Sequence, residues 1–502
     1  MSIGLLSLVS IGKENLYFSG LPEITFFKVA YKRYTNYAIE PTPQYFKTTP
    51  DFGRRCTVNI GKNADLLSMT YLYVELPDIQ IENFVSNTST IKTFSWVNKV
   101  GLALINFIEV EIGGYFIDRH YGDWINIWNE LTNSNSVKDG YNKIIGNVSS
   151  MNSFTQSKIS YKLYIPLSFW FCLDSGLALP LVSLLNNDVK IHVEFNNIDK
   201  CYKISPSYFI TTTNTFCIYN KGELFYQNYE GSKIVGEFIY FDPILQRIYY
   251  NPIKGKINIP KTTTQSISSQ YKLLGNETSY EMNIKPNSVV VKDDDYFKFN
   301  KPSMVDSYLL VNYIYLDNYE RSLFLSNSNE YIIPVINTLP DLTVYSTNVI
   351  YNLPLYNPTK LIVWRAMLLS NYNSNDLFNY TASPYTDLLS NVSDNIIKNE
   401  LLYINSKTRM GIDSYQYYTL LQNYQNKFKT NQKGINTFSF SLNPLDLQPS
   451  GSLNFSKIDD AYLQLTLNSI INYQNPAIIK AYSVYYNLFR TSNGVGGLGF
   501  SN

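Results

Sequence analysis

Histidine is nearly missing from this chain. Its 502 residues hold only His120 and His192, which excludes an HExxH zinc site and any His-rich metal centre. Charge is scarce too: 16% of residues are Asp, Glu, Lys or Arg, against about 25% in an ordinary soluble domain. Forty-one basic residues balance forty acidic ones, so no global field draws the chain to nucleic acid or to an anionic membrane. The four cysteines, Cys56, Cys172, Cys201 and Cys217, show no CxxC spacing. That argues against a disulfide framework and a zinc site, and suits a reducing compartment. No apolar run approaches the roughly 20 residues that a membrane-spanning helix needs. The opening MSIGLLSLVSIG is apolar but lacks the basic start and cleavage-like end of a signal peptide, so a soluble, non-secreted chain is expected.

What is abundant is aromatic. Phe, Trp and Tyr make up 15% of the chain, with 44 Tyr, a composition that suits pleated sheets, although an AT-rich genome would also raise Tyr and Asn. The length favours two domains over one core. From Leu163 to Phe195 the chain reads as strand, turn, strand. Leu167, Phe169, Trp170 and Phe171 predict an aromatic strand behind Pro166. Pro180 then starts a short helical turn, with Leu181, Leu184 and Leu185 on one face. Val189, Ile191, Val193 and Phe195 alternate with Lys190, His192 and Glu194, as in a half-buried strand.

Other strands are predicted at Thr70–Leu76, and at Phe107–Ile112 and Tyr115–Asp118 about the Gly113-Gly114 turn. Trp124, Trp128 and Leu131 lie at helical spacing, with Asp123 as the expected cap, in a helix that plugs a sheet end. Residues 201–304 turn more polar and read as an exposed insertion. Val311–Leu316 resumes a strand, and Asp317 with Glu320 predicts a capped helix through Arg321–Leu325. A second β series follows at Glu330–Val335, Thr359–Trp364, Thr437–Leu442 and Ala461–Leu467. The repetition predicts two sandwiches in tandem.

Motifs for chemistry are thin. Gly494, Gly496 and Gly499 match GxGxxG, but no helix can follow them before the end of this sequence. His120, between Asp118 and Asp123, could form an acid–base pair; a polar turn before the Trp124 helix explains it as well. Asp293-Asp294-Asp295 reads as a solvated acidic loop. Lys28, Lys32 and Arg33 among tyrosines fit a solvated strand edge better than a nucleic-acid stripe. Candidate glycan acceptors stand at Asn87, Asn147, Asn276, Asn379, Asn391 and Asn454, with Asn276 the best placed for outward display.

Several collinear segments carry a family likeness: GLPEITFFKVAYKRYTNYAIE at Gly20, IGGYFIDRHYGDWINIWNELT at Ile112, LYIPLSFWF with LALPLVSL and DVKIHVEF, YIYLDNYERSLF with NEYII at Tyr313, PTKLIVW at Pro358, DLFNY at Asp376, LQPSGSLNFSKIDDAYLQL at Leu447, and AYSVYYNLFR with GVGGLGFSN at the end. Together they resemble the major capsid proteins of nucleocytoplasmic large DNA viruses. The likeness implies an all-β fold of two tandem eight-stranded jelly-roll sandwiches with a few short helices and long surface loops. It divides the chain into an arm (1–19), a first jelly roll (20–316, with 201–304 as a surface insertion), a connector (317–328) and a second jelly roll (329–502). It further implies homotrimeric, pseudohexagonal capsomers that tile an icosahedral shell, meet neighbouring capsomers and minor capsid and penton proteins, and assemble in a cytoplasmic viral factory. The apolar arm would reach along the inner face of the shell, toward a neighbour, a minor protein or an internal membrane. No enzyme activity, cofactor, metal or direct nucleic-acid contact is expected. The family often has His-Glu-Tyr where this chain has Asn329-Glu330-Tyr331. The rival reading is a carbohydrate-binding or attachment β-sandwich, because exposed Tyr and Asn suit sugar contacts. A β-sandwich hydrolase lacks a recognisable nucleophile, base and orienter.

Overall fold

Eight strands build the first sandwich: β1 (Tyr37–Tyr45), β2 (Arg55–Asn59), β3 (Leu66–Leu76), β4 (Ile105–Ile112), β5 (Tyr115–Tyr121), β6 (Tyr161–Pro166), β7 (Val189–Phe195) and β8 (Asp306–Leu316). In this computed structural model they form two antiparallel sheets, β6-β3-β8-β1 and β2-β7-β4-β5. The structure describes residues 5, 8–9, 20–21, 23–81, 92–292, 301–326, 328–382, 395–408, 414–429, 434–473 and 475–500. The arm therefore lies almost wholly outside the described residues, although Leu8 packs against the first core.

Eight further strands repeat the pattern: β9 (Asn329–Thr338), β10 (Asn348–Asn352), β11 (Pro358–Leu368), β12 (Ile397–Ile404), β13 (Lys407–Thr408), β14 (Ile435–Ser439), β15 (Ala461–Leu467) and β16 (Ala477–Ser492). Their sheets run β14-β11-β16-β9 and β10-β15-β12-β13, the same order as the first pair. Period-2 patterning explains much of this. Leu463, Leu465 and Leu467 all face the second core, each contributing about 1.5–3 kcal/mol by burial. The Gly113-Gly114 turn adopts φ of +60° and +90°, a conformation glycine reaches without strain, and so closes the β4–β5 hairpin. Asp317 accepts from the Glu320 backbone N–H at 2.9 Å and caps helix α2 (Asn318–Ser326).

Three local expectations fail. The aromatic run after Pro166 is not a strand: β6 ends there, and Trp170–Leu173 is a helical turn. Phe169, Trp170 and Phe171 are all buried, and a strand would have sent alternate rings to opposite faces. Leu185 is exposed, while Leu181 and Leu184 are buried, because the 3-10 turn Leu181–Ser183 ends before a second turn can form. Leu442 lies beyond β14 and is exposed.

Most of residues 201–304 fold as a unit. Seven strands between Tyr208 and Lys292 form an antiparallel sheet of their own, with a separate core that includes Ile210, Phe225, Ile248, Leu273 and Met282. The polar tracts seen in the sequence are its connections.

The two sandwiches share their interior. Sheet β14-β11-β16-β9 is covered on both faces: Ile362, Trp364, Ala366 and Leu368 enter the second core, while Leu361, Val363 and Met367 meet the helix α1 (Gly122–Thr132) through Trp124, Ile127 and Leu131. That two-sided burial explains why LIVWRAML in β11 does not alternate. Farther along, Ile333, Val335, Tyr485 and Phe489 join the core of the first sandwich. The β16 hairpin also hooks back, with Asn186 N–H donating to Gly494 O at 2.8 Å and Asn187 Nδ2 donating to Gly496 O at 3.0 Å.

Gly122, at the start of α1, is pressed against the first sandwich: a Cβ there would lie 2.3 Å from Leu102 O and 2.7 Å from Ile105 O. Gly122→Ala is expected to lower stability by about 1–3 kcal/mol, read as a fall in the thermal midpoint. Gly140→Ala is the control, since a Cβ there meets nothing within 4 Å; it should leave the midpoint unchanged or raise it slightly.

Candidate functional site

The most elaborate polar cluster lies where the sandwiches meet. Asp123, second residue of α1, points away from its helix end and does not cap it; the cap position, Tyr121, supplies no side-chain bond. Instead Arg365 of β11 donates to Asp123 Oδ2 from Nε at 2.9 Å and from its terminal nitrogen at 2.6 Å. Tyr482 Oη donates to the same oxygen at 2.7 Å, and Tyr380 Oη donates to Oδ1. Asn126 Nδ2 completes the ring by donating to Tyr380 Oη at 3.1 Å. Burial opposes the charge on Asp123, yet the adjacent guanidinium and the two phenols hold its carboxyl below the usual range. Chemically this is a buried ion pair, in which only the second terminal nitrogen of Arg365 has no hydrogen-bond partner.

A second junction contact runs from β5. Asp118 Oδ1 accepts from the Ile336 backbone N–H of β9 at 3.2 Å, and its Oδ2 lies 3.0 Å from His120 Nε2. His120 is therefore not in a polar turn: it is a buried strand residue, stacked on Phe169 with ring centroids 4.4 Å apart. Asp123 takes no part in that pair. His192 in β7 sits 2.8 Å from Thr57 Oγ1 and 2.9 Å from Glu111 Oε2, on the same face as the Lys190–Glu111 pair. His192 cross-links β7 to β2 and β4, whereas His120 bonds within its own strand and its Nδ1 has no hydrogen-bond partner.

Inside the second core Glu400 accepts from Trp364 Nε1 at 2.7 Å, while its Oε1 has no partner. Burial pushes its carboxyl up to about 8, only partly offset by the indole bond. Lys360 in β11, buried beside the Tyr486 ring, is pushed down to about 8 by burial.

The remaining sequence candidates scatter. The four cysteines are unpaired; burial pushes Cys172 up to about 12 and Cys217 up to about 11, which keeps both unreactive. Among the described residues no three His, Cys, Asp or Glu side chains converge on a metal position, and Asp293-Asp294-Asp295 lies outside them. Gly494 and Gly496 belong to the hairpin between β16 and the short strand Val495–Leu498. Lys28 pairs with Glu23 in a small hairpin whose tip carries fully exposed Phe26 and Phe27. Of the sequons, Asn276 and Asn454 are exposed. Asn147 is half-buried and bonded to Asn142 and Asn152. Asn379 is 5% exposed with both ends of its amide bonded, so the folded chain cannot present it. Asn87 and Asn391 lie outside the described residues.

The junction was missed from sequence because Asp123 and Arg365 are 242 residues apart. The signal was there in β11: an arginine inside an apolar strand needs a buried partner. Among the described residues no helix is long and apolar enough to cross a membrane.

Comparison with known proteins is consistent along the whole chain. Residues 25–237 match the family described as "Major capsid protein N-terminus", and residues 320–497 match "Large eukaryotic DNA virus major capsid protein". A "Probable capsid protein 4" of Acanthamoeba polyphaga mimivirus is 34% identical, and a "Major capsid protein" of Phaeocystis pouchetii virus 31% identical, each covering 100% of both chains. Among solved structures, the Faustovirus major capsid protein aligns with a TM-score of 0.65 at 12% identity over 94% of this chain and 93% of the other. The PBCV-1 capsid model aligns at 0.64 and 21% identity over 95% and 100%. At those identities the structural likeness speaks for the double jelly-roll fold.

Asp123→Asn leaves Arg365 buried without a counter-charge and is expected to cost about 3–5 kcal/mol. Glu330→Gln, which breaks the half-exposed pair with Arg490, should cost under about 1 kcal/mol; chemical denaturation of both variants measures the contrast. Glu400 gives the opposite pH trend from a paired carboxylate. Its proton is held in the fold up to about pH 8 but released from the unfolded chain near 4.5. Unfolding therefore releases a proton between those values, and this contribution to stability falls as pH rises from about 4.5 to 8. Glu400→Gln should flatten the fall in thermal midpoint between pH 5 and pH 8.

Proposed function

The chain belongs to the major capsid proteins of large eukaryotic DNA viruses and is a structural subunit of a virion capsid; from that premise we propose that three copies form a pseudohexagonal capsomer that tiles an icosahedral shell. The observation that carries this reading is the repeated strand order. Two sandwiches of one topology, joined by a shared interior, present two similar flanks, so three chains present six. We read residues 20–316 as the first jelly roll, with 201–304 as its surface insertion. Residues 317–328 are then the connector and 329–502 the second jelly roll.

The edges suit a brick that must not polymerise at random. β1, at a sheet edge, carries Pro41 and Pro43, and β9, at the matching edge, carries Pro334. Proline offers no N–H for a further strand. Low charge density favours broad side-to-side contacts, since lasting interfaces bury mostly apolar surface.

In this reading the capsomer meets neighbouring capsomers and minor capsid and penton proteins, and assembles in the host cytoplasm. The arm of residues 1–19 reaches a neighbour, a minor protein or an internal membrane beneath the shell. Asn276, exposed on the insertion, is the better placed of the sequons for a glycan. The chain acts without catalysis or cofactor. A free-standing attachment lectin is the less favoured account.

Light scattering of the purified protein tests the assembly. Three chains of 57.8 kDa give about 173 kDa, the expected mass; a stable monomer at all concentrations would overturn the trimer.

A further inference from the structure

Helix α1 lies between β5 and β6 in the chain and packs across the junction, with Trp124, Ile127 and Leu131 against Leu361 and Val363 of β11 and Tyr482 and Val484 of β16. The second sandwich carries a counterpart. Between β13 and β14 the turns Tyr417–Leu421 and Gln422–Gln425 run together as one helical segment. Its inner face is fixed to β14, where Thr437 Oγ1 donates to Asn423 Oδ1 at 2.9 Å and the Ser439 N–H donates to Gln422 Oε1 at 3.3 Å. Its outer face is bare: Leu420, Leu421 and Tyr424 are 60%, 43% and 84% exposed.

The sheet that α1 covers has a counterpart too. In the first sandwich β6-β3-β8-β1 takes the place of β14-β11-β16-β9, and a row of four tyrosines, one from each strand, crosses its outer face. Tyr45 of β1 is paired directly with Tyr308 of β8, Tyr308 with Tyr73 of β3, and Tyr73 with Tyr164 of β6. Successive ring centroids are 5.5, 4.4 and 5.1 Å apart. Tyr45 and Tyr164, at the two ends of the row, are exposed. A continuous aromatic strip on the solvent side of a sheet marks a contact surface, and tyrosine is among the residues that carry most binding energy at interfaces.

We propose that the bare helical segment of one copy docks on the tyrosine row of the next, so that the contact made once inside each chain is made again between chains. This rests on the trimer read above and names the surfaces that close it. The donor face and the receiving face lie on different sandwiches of one chain, which makes the contact head-to-tail, the kind that closes into a ring. A two-fold pair would instead set like face on like face. The chemistry of the two faces matches, with leucine and tyrosine side chains meeting aromatic rings. Burying the row also leaves the central phenol satisfied, because Tyr73 Oη already donates to Glu75 Oε2 at 2.9 Å.

Light scattering combined with hydroxyl-radical labelling of the full-length protein tests the contact. In the wild-type trimer Tyr45 and Tyr424 should label slowly, as the buried Tyr313 does. Leu420→Glu with Tyr424→Glu, and separately Tyr45→Glu with Tyr164→Glu, should each raise the concentration for half-assembly about tenfold or more, with the far-ultraviolet spectrum unchanged. The helical variant keeps its tyrosine row but uncovers it, so labelling of Tyr45 and Tyr164 should rise above the wild-type level. A wild type that never exceeds the monomer mass overturns the trimer and this contact together. A wild-type trimer in which Tyr45 and Tyr424 label freely, or one that survives either pair of substitutions, overturns the contact alone. So does slow labelling of Tyr45 and Tyr164 in the helical variant, which would put the chain's own arm on the row in place of a second copy.

Discussion

A carboxylate from one sandwich and a guanidinium from the other lie buried together at the junction, ringed by two phenols and an amide. Taking both charges out of water costs several kcal/mol per ion before their attraction is counted. Such a pair is therefore poorly suited to supply bulk stability, and the packing of Trp124, Ile127 and Leu131 on Leu361, Val363 and Tyr482 supplies that. What the pair adds is selectivity among arrangements. Apolar surfaces tolerate sliding by a few ångströms, whereas a two-pronged Arg–Asp contact does not. The relative position of the two sandwiches is thereby fixed to one solution.

The rest of the architecture follows from that fixed position. Sheet β14-β11-β16-β9 loses its solvent face to α1 and to the first sandwich, so β11 carries apolar side chains on both faces around Arg365. Asp118 can reach across to the Ile336 backbone only in this arrangement, and the β16 hairpin can meet Asn186 and Asn187 only then. A shell subunit passes load from one neighbour to the next, and two modules joined by a flexible tether would dissipate it. Here Trp124, Ile127 and Leu131 are buried against Leu361, Val363 and Tyr482, so the join is packed rather than tethered.

Sequence reading recovered what short-range physics controls. Alternation marked β7 and β15, paired glycines marked the β4–β5 turn, and Asp317 marked the start of α2. It failed where a residue's environment is made by distant chain. Asp123 looks like a helix cap because local grammar allows it, but the stronger demand came from Arg365. Phe169, Trp170 and Phe171 look like a strand because aromatics favour strands; a core that needed three adjacent rings turned them into a helical turn. The inserted segment read as an exposed insertion of short strands and polar tracts; the pairing of those strands into one sheet with its own core is not visible locally. The junction joins segments far apart in the chain, so it had no local signature.

The inserted sheet keeps its own core, with Ile210, Phe225, Ile248, Leu273 and Met282 packed among themselves. Substitutions inside it are felt first by that cluster and only weakly by the strands on which the lattice depends. Such a layout separates two evolutionary pressures that would otherwise compete: constancy of the brick and novelty of its ornament. Change inside the inserted sheet can be taken up by its own core while the strand order of both sandwiches stays as it is.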